Sequence, residues 1–374
     1  MLIILVVLIV VCVSLFASVI WIKMAQAHRE RGRSIAMKNI RPILKKLFTA
    51  GTVDFFKNHE QGTSKLADKM DGKYFRQTLE DILLDILEVA GGETKVRART
   101  IAYQFGFPER CLSMIRDRLT GNIAIGCRKA GLYQYEEAIP DILNVLGIIS
   151  SNTQHQALMA LSRMGNADAL VQAFDKISPL ILVNERAVSE IINTFSGDRR
   201  ELYKKMIHHQ SDYLVRLFLK AIDPETANAL IKDIVSIYKD GGKETRLAGI
   251  IAIGRSGNSG RIPILIRALT DTEWEIRAMA AKTLGVLTSP HAVKPLAKAA
   301  RDGEWWVRQN AVTSILAYSD SDEILTSIVK SGDRYAYDSM LYALEKANET
   351  KLLSRIREVR PEEIQGAKLV KSLA

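Results

Sequence analysis

The sequence predicts an all-α protein: an N-terminal transmembrane helix followed by an α-solenoid of about nine helical hairpins. Three observations predict it. Residues 2–22 carry no charge, a marked residue returns about every 31 positions from residue 97 onward, and the apolar residues between these marks follow helical spacing. With 47% hydrophobic and 25% charged residues and only 9 prolines, the chain of 374 residues is too apolar to be disordered and too charged to be polytopic. Its 3 cysteines, one inside the apolar run, exclude a disulfide framework and a multi-cysteine metal site.

The run Leu2 to Ile22 has no Gly or Pro, and 16 of its residues are Leu, Ile, Val or Phe. At ~1.5 Å per residue it reaches about 31 Å, the thickness of a bilayer's hydrocarbon core. Trp21 sits where an interfacial aromatic belongs, with Lys23 just beyond it. Ala25-Gln26-Ala27 resembles a signal-peptidase site, but no basic stretch precedes the run and the run is too long for a signal h-region. An uncleaved anchor over residues 1–23 is therefore expected. From Lys23 to Lys46 there are eight basic residues and one acid, Glu30, which gives +7 of the chain's net +10. By the positive-inside rule the protein is expected in the cell membrane as a single-pass chain, N-terminus outside and repeats in the cytoplasm. The basic excess is thus a topology and anionic-lipid signal more than a nucleic-acid footprint. Residues 24–72 are expected to form a basic juxtamembrane helix and linker. Pro42 is a candidate helix start, with Ile43, Leu44, Leu47 and Phe48 on one face. That face fits either an anionic membrane surface or the first repeat, and the pattern does not choose between them.

The repeat is carried by Arg97, Arg128, His155, Arg186, Arg216, Arg246, Arg277, Arg308 and Asp338, at spacings of 27 to 31. Asp240, Asp271, Asp302 and Asp333 keep a 31-residue step, as do Trp274 with Trp305, Gly254 with Gly285, and Ala280 with Ala311. Each unit holds two short helical patterns, such as Glu275 to Leu287 and Ala292 to Ala300, separated by Ser289-Pro290. Neither is long enough to be stable alone in water, so the units must stack to cover their apolar faces. Residues 73–360 are assigned to this stack and 361–374 to a C-terminal tail. The recurring Asp and the Arg six residues after it are expected to satisfy unpaired groups at helix ends and to bridge neighbouring units.

The strings EIRAMAAKTLGVLTSPHAVKPLAKAARD (275–302), WVRQNAVTSILAYSDSDEILTSIVKSGD (306–333) and TRLAGIIAIGRSGNSGRIPILIRALTD (245–271) resemble HEAT repeats of the short, phycobilisome-lyase-like subtype. The resemblance is strong over about 240–333, moderate over 93–240 and weak after 335. It implies a recurring apolar-Arg pair opening each first helix, small residues where helices cross, and an Asp closing each unit. His155, Leu158 and Leu219 depart from that pattern.

The residues offer little chemistry. His59-Glu60 is a single His-Glu pair, too few ligands for an iron site of the kind found in the HEAT-like deoxyhypusine hydroxylases. His208 and His209 diverge by about 100° on a helix. Cys111 and Cys127 read as small buried hydrophobes. The string Gly254, Gly257, Gly260 follows a helix rather than a strand and reads as an inter-helix turn, not a phosphate cradle. Lyase activity is not carried over with the resemblance to the scaffold. No catalytic, metal or cofactor residue is assigned. The second helices of HEAT arrays line the concave face, so Arg261, Arg267, Lys294 and Lys298 are candidate contacts for a protein partner, Arg267 and Lys298 standing 31 apart. Trp306 has no counterpart one unit earlier, where Glu275 stands, and is a candidate interface anchor. The expected function is a membrane-anchored, non-catalytic scaffold whose protein partner is a membrane-bound enzyme or a signalling protein. Nucleic-acid binding by a basic concave face is the competing reading.

Overall fold

A computed structural model of the chain describes residues 2–49, 64, 66–67, 73–177, 185–318, 321–330 and 333–358. All regular structure among them is helical. The expected linker residues His59 and Glu60 and the tail 361–374 lie outside the described residues. The chain divides into two compact units, Met1–Ser178 with Thr194–Ser196, and Pro179–Asn193 with Gly197–Ala374.

The first unit opens with α1 (Leu2–Thr49), 48 residues in one helix. Its portion from Val11 onward includes a window long and apolar enough to cross a membrane, with no part of that window buried in protein. Beyond Gly32 the helix changes character. Ala36, Ile40, Leu44 and Leu47, spaced 4, 4 and 3 residues apart, are all buried, and the helix packs on α2 (Lys73–Val89). Gly32 is required there, because a Cβ would lie 2.5 Å from Cδ2 of Tyr74. Arg33 pairs with Asp81 of α2, and His28 meets the Tyr74 ring edge-on at 5.9 Å.

Pro42 therefore does not open a helix; it lies inside α1. Proline leaves the carbonyl four residues back without its N–H. Lys38 and Pro42 are both exposed, so that carbonyl is on the wet side of the helix and the helix runs on. Of the two covers open to the Ile43–Phe48 face, the one observed is the first repeat: Leu44 and Leu47 are buried and Ile43 and Phe48 half-buried.

The rest of the unit is α3 (Gly92–Gln104), α4 (Arg110–Ile115), α5 (Thr120–Tyr133), α6 (Ile139–Val145), α7 (Ser151–Met164) and α8 (Ala167–Lys176). Helices α5 and α7 pack side by side. Gly131 lets them approach, since a Cβ on it would stand 2.5 Å from Cα of Ala160. Glu80 of α2 is buried but satisfied by Lys129 (2.7 Å), Tyr133 (3.3 Å) and Arg110 (3.5 Å).

The second unit contains α9 (Glu185–Thr194) up to its last residue, α10 (Arg199–Ile207), α11 (Asp212–Ala221), α12 (Pro224–Ala229), α13 (Ile231–Asp240), α14 (Lys243–Arg255) and α15 (Ile262–Ala268). It continues with α16 (Trp274–Leu287), α17 (Val293–Ala299), α18 (Trp305–Ile315), α19 (Ser321–Lys330), α20 (Arg334–Lys346) and α21 (Thr350–Glu358). The first helices stack in order, α11 on α14, α14 on α16, α16 on α18 and α18 on α20. Ile276, Ala280, Leu284, Leu296, Ala311 and Ile315 are fully buried between the layers. Small residues sit at the crossings. A Cβ on Gly285 would lie 2.5 Å from Cβ and 2.8 Å from Cα of Ser314, and one on Gly254 would strike Cγ2 of Thr283. Gly254 is thus a crossing residue inside α14; of the glycine string only Gly257, with φ of +63°, makes the left-handed turn. The nine marked positions, Arg97 to Asp338, fall on the nine first helices α3, α5, α7, α9, α11, α14, α16, α18 and α20. Among the described residues the fold is all-α, each unit built of helical hairpins, and the first unit opens with the apolar helix.

Candidate docking surfaces

The arginine column shapes the surfaces of the second unit. A helix leaves its last carbonyls unpaired, and each short inter-helix loop adds more. Arg277 turns Nη1 back to the carbonyls of Asp271 (2.8 Å) and Thr272 (3.1 Å). Its Nε and Nη2 reach forward to both carboxylate oxygens of Asp302 at 2.7 and 2.9 Å. Asp302 also accepts from the Glu304 N–H at 2.9 Å, which fixes the entry to α18. Burial opposes the charge on Asp302, but the Arg277 guanidinium and that N–H outweigh it and hold the carboxyl below the usual carboxylate range. Arg246 repeats the forward half on Asp271. Arg308 keeps the backward half, to the carbonyls of Asp302 and Gly303 (both 2.8 Å), and reaches forward to the Ser339 hydroxyl at 3.2 Å.

Between α15 and α17 lies a groove of about 930 Å³. Ile266, Leu269, Pro295 and Ala299 give it an apolar floor, and Lys294, Lys298 and Arg301 give it charge, with Asp271, Arg277 and Asp302 in the wall. Lys294, Lys298 and Arg301 are all exposed. Among the described residues none of the three has an ion-pair or hydrogen-bond partner. The acids at the wall are already engaged, Asp271 by Arg246 and Asp302 by Arg277. Of the four basic residues singled out in the sequence, the structure brings Lys294 and Lys298 into one groove. Arg261 and Arg267 do not line it. Arg267, exposed on α15, lies near enough to Tyr238 of α13 for its charge to act on that phenol. The 31-residue step brings Thr270 with Arg301 and Asp271 with Asp302 into this groove, but not Arg267 with Lys298.

A second surface lies at the start of α18. Trp306 is 56% exposed and Trp305 38%. Their rings meet edge-to-face at 4.6 Å, and Trp305 meets Tyr342 of α20 at 5.8 Å. Tyr335 is exposed and lies over the Arg308 guanidinium at 5.4 Å. Trp305 thus packs on the next hairpin while remaining partly exposed.

The other candidates are structural. Cys111 and Cys127 are buried free thiols, and burial pushes both up to about 12, far from a reactive thiolate. His209 accepts from the Ser211 N–H at 3.0 Å, whereas His208 faces Asp233 at 3.8 Å, so the two diverge. Among the described residues no three His, Cys, Asp or Glu side chains come together as a metal site. Sequence reasoning missed the contribution of Tyr342 to the aromatic surface. Its column, 31 residues after Ala311, holds no other aromatic to mark it.

Residues 231–317 match the family of HEAT repeats. No curated protein matches the chain in sequence. Among solved structures it is similar to the complex of CpcE and CpcF of phycocyanin lyase from Nostoc sp. PCC7120, at 16% identity, covering 67% of this chain and 92% of that one, with a TM-score of 0.28. It is also similar to YibA of E. coli, at 14% identity over 77% and 96% of the two chains with a TM-score of 0.31. An engineered protein follows, at 16% identity over 79% and 92% with a TM-score of 0.34. The hairpins of residues 231–317 match the HEAT-repeat model, and the hairpins on either side of them keep the same two-helix plan.

Proposed function

We propose that the chain is a membrane-anchored, non-catalytic scaffold that docks a protein partner at the cytoplasmic face of the cell membrane. The observation that carries this reading is the continuity of α1. One helix holds both the apolar, protein-free stretch and the face buried against α2, and Arg97 bonds the carbonyls of Leu47 (2.9 Å) and Phe48 (3.3 Å) near its end. An anchor built into the first repeat is a tether, and confinement to a bilayer raises the effective concentration of a membrane-bound partner without adding a contact. The partner chemistry that fits is a membrane-bound enzyme or a signalling protein, met by the basic groove or the aromatic surface at Trp306.

Geometry also sorts the basic flank. Along a helix crossing near the bilayer normal, Lys23, Arg29 and Arg31 fall within ~12 Å of the interface, and Lys45 stands ~33 Å away. The Debye length is about 8 Å at physiological salt. Lys23 is thus the cation nearest the anionic headgroups, Arg29 and Arg31 reach them only weakly at about one Debye length or more, and Arg33, bound to Asp81, serves the fold.

Photo-crosslinking in intact membranes from positions 298 and 306, followed by identification of the captured protein, tests the scaffold. The reading predicts one dominant membrane-associated protein. Capture of nucleic acid instead, with sub-micromolar and steeply salt-dependent duplex binding, would establish the competing reading.

A further inference from the structure

The charge of the groove between α15 and α17 is not something the repeat requires. In register with Lys294, Lys298 and Arg301, the preceding unit has Pro263, Arg267 and Thr270. Both second helices nevertheless bury equivalent faces, Ile262, Leu265, Ala268 and Leu269 in α15 and its flank, Leu296, Ala299 and Ala300 in α17 and its flank. Stacking is thus achieved with or without Lys294 and Arg301, and nothing among the described residues neutralises them. Exposed cations without partners, beside carboxylates already engaged by Arg246 and Arg277, leave a positive strip that only an external anion can match.

The dimensions and lining choose among anions. Lys294 and Lys298 lie one turn apart on α17, and Arg301 stands in the turn just after its end, so the three line a strip of the groove ~10 Å long. In an extended peptide, alternate side chains on one side repeat every ~6.6 Å. A segment of about four to five residues therefore sets two or three carboxylates against the strip. Its intervening side chains turn away from the cations, toward Ile266, Leu269 and Pro295. No aromatic ring lines the groove to stack on a base, which single-stranded nucleic acid uses.

We infer that this groove receives an extended acidic segment of a protein, acidic side chains at alternate positions facing Lys294, Lys298 and Arg301 and an apolar side chain between them on the Ile266–Leu269–Pro295 floor. The inference rests on the scaffold reading and specifies the chemistry of its partner.

The test uses the full chain in nanodiscs and a fluorescein-labelled alternating Glu-Leu octapeptide, with a Lys-Leu octapeptide and a single-stranded DNA oligomer as comparisons. The expected result is binding of the Glu-Leu probe that weakens with salt and falls about tenfold or more with Lys294→Glu plus Lys298→Glu. Lys282→Glu, an exposed residue of α16 outside the groove, leaves affinity unchanged. The thermal midpoint of the double variant reports that its fold is intact. No binding by the wild type at millimolar peptide, equal binding by the double variant, or tighter binding of DNA lost in the same variant overturns the inference. Should crosslinking still capture a protein with the double variant, the groove inference falls and the scaffold stands; should nothing be captured by the wild type, the scaffold falls.

Discussion

Arg97 in the first unit and Arg277 in the second hold the same place in the repeat, yet they close different gaps. Arg277 bonds the carbonyls of its own inter-helix junction and the carboxylate of Asp302, 25 residues on. Arg97 is more buried, 4% exposed, and spends Nη1 on carbonyls 50 and 49 residues back, near the end of α1. What the repeat conserves physically is a guanidinium aimed at open helix ends. Which helix supplies those ends depends on what precedes the unit, and for the first unit that is the apolar helix.

That contrast can be broken at graded cost. Leu284→Asp places an unpaired charge in a fully buried layer of the second unit and is expected to cost about 4 kcal/mol or more, seen as loss of a cooperative melting transition. Asp302→Ala leaves Arg277, 17% exposed, without its carboxylate. The expected loss is ~2–4 kcal/mol by denaturant titration. In the first unit Glu88→Ala removes the partner of Arg128, but both side chains are 40% or more exposed and the loss should stay under ~1 kcal/mol. Gly285→Ala forces α16 and α18 apart at Ser314 and is expected to cost about 1–3 kcal/mol.

The pH dependence has a defined sign. Asp302 is held below the ordinary value of 3.8, so near that pH the unfolded chain binds more protons than the folded one. Stability contributed by the Arg277–Asp302 pair is full above the ordinary value and declines as pH falls through the lowered one. Asp302→Asn should flatten this acid limb in a series of denaturant titrations between pH 5 and about pH 2.

The stack was legible because it is periodic: the marked column from Arg97 to Asp338 lands on every first helix. The forward reach of Arg277 was legible too, since the Asp column carries the same step. The target of Arg97 was not, because α1 lies outside the period and a contact across 50 residues leaves no spacing to read. Pro42 misled for a local reason, as proline suits both a helix start and an exposed helical site with a wet carbonyl. In the groove, residue type pointed to Lys294 and Lys298. Whether Arg267 shared their groove depended on which side of α15 it leaves, since the same 31-residue step brings Asp271 and Asp302 into one groove but not Arg267 and Lys298.

The central claim is that the apolar helix and the first repeat are one folded body. Hydrogen exchange on the full chain in nanodiscs tests it most directly, by comparing the amides of Ala36 to Leu47 with those of Phe75 to Leu87. The account predicts that both sets exchange slowly, with matched opening free energies, and that Arg97→Leu speeds both together. Rapid exchange of residues 36–47 beside a protected α2 would contradict it, leaving the helix as an anchor with no structural part in the repeats.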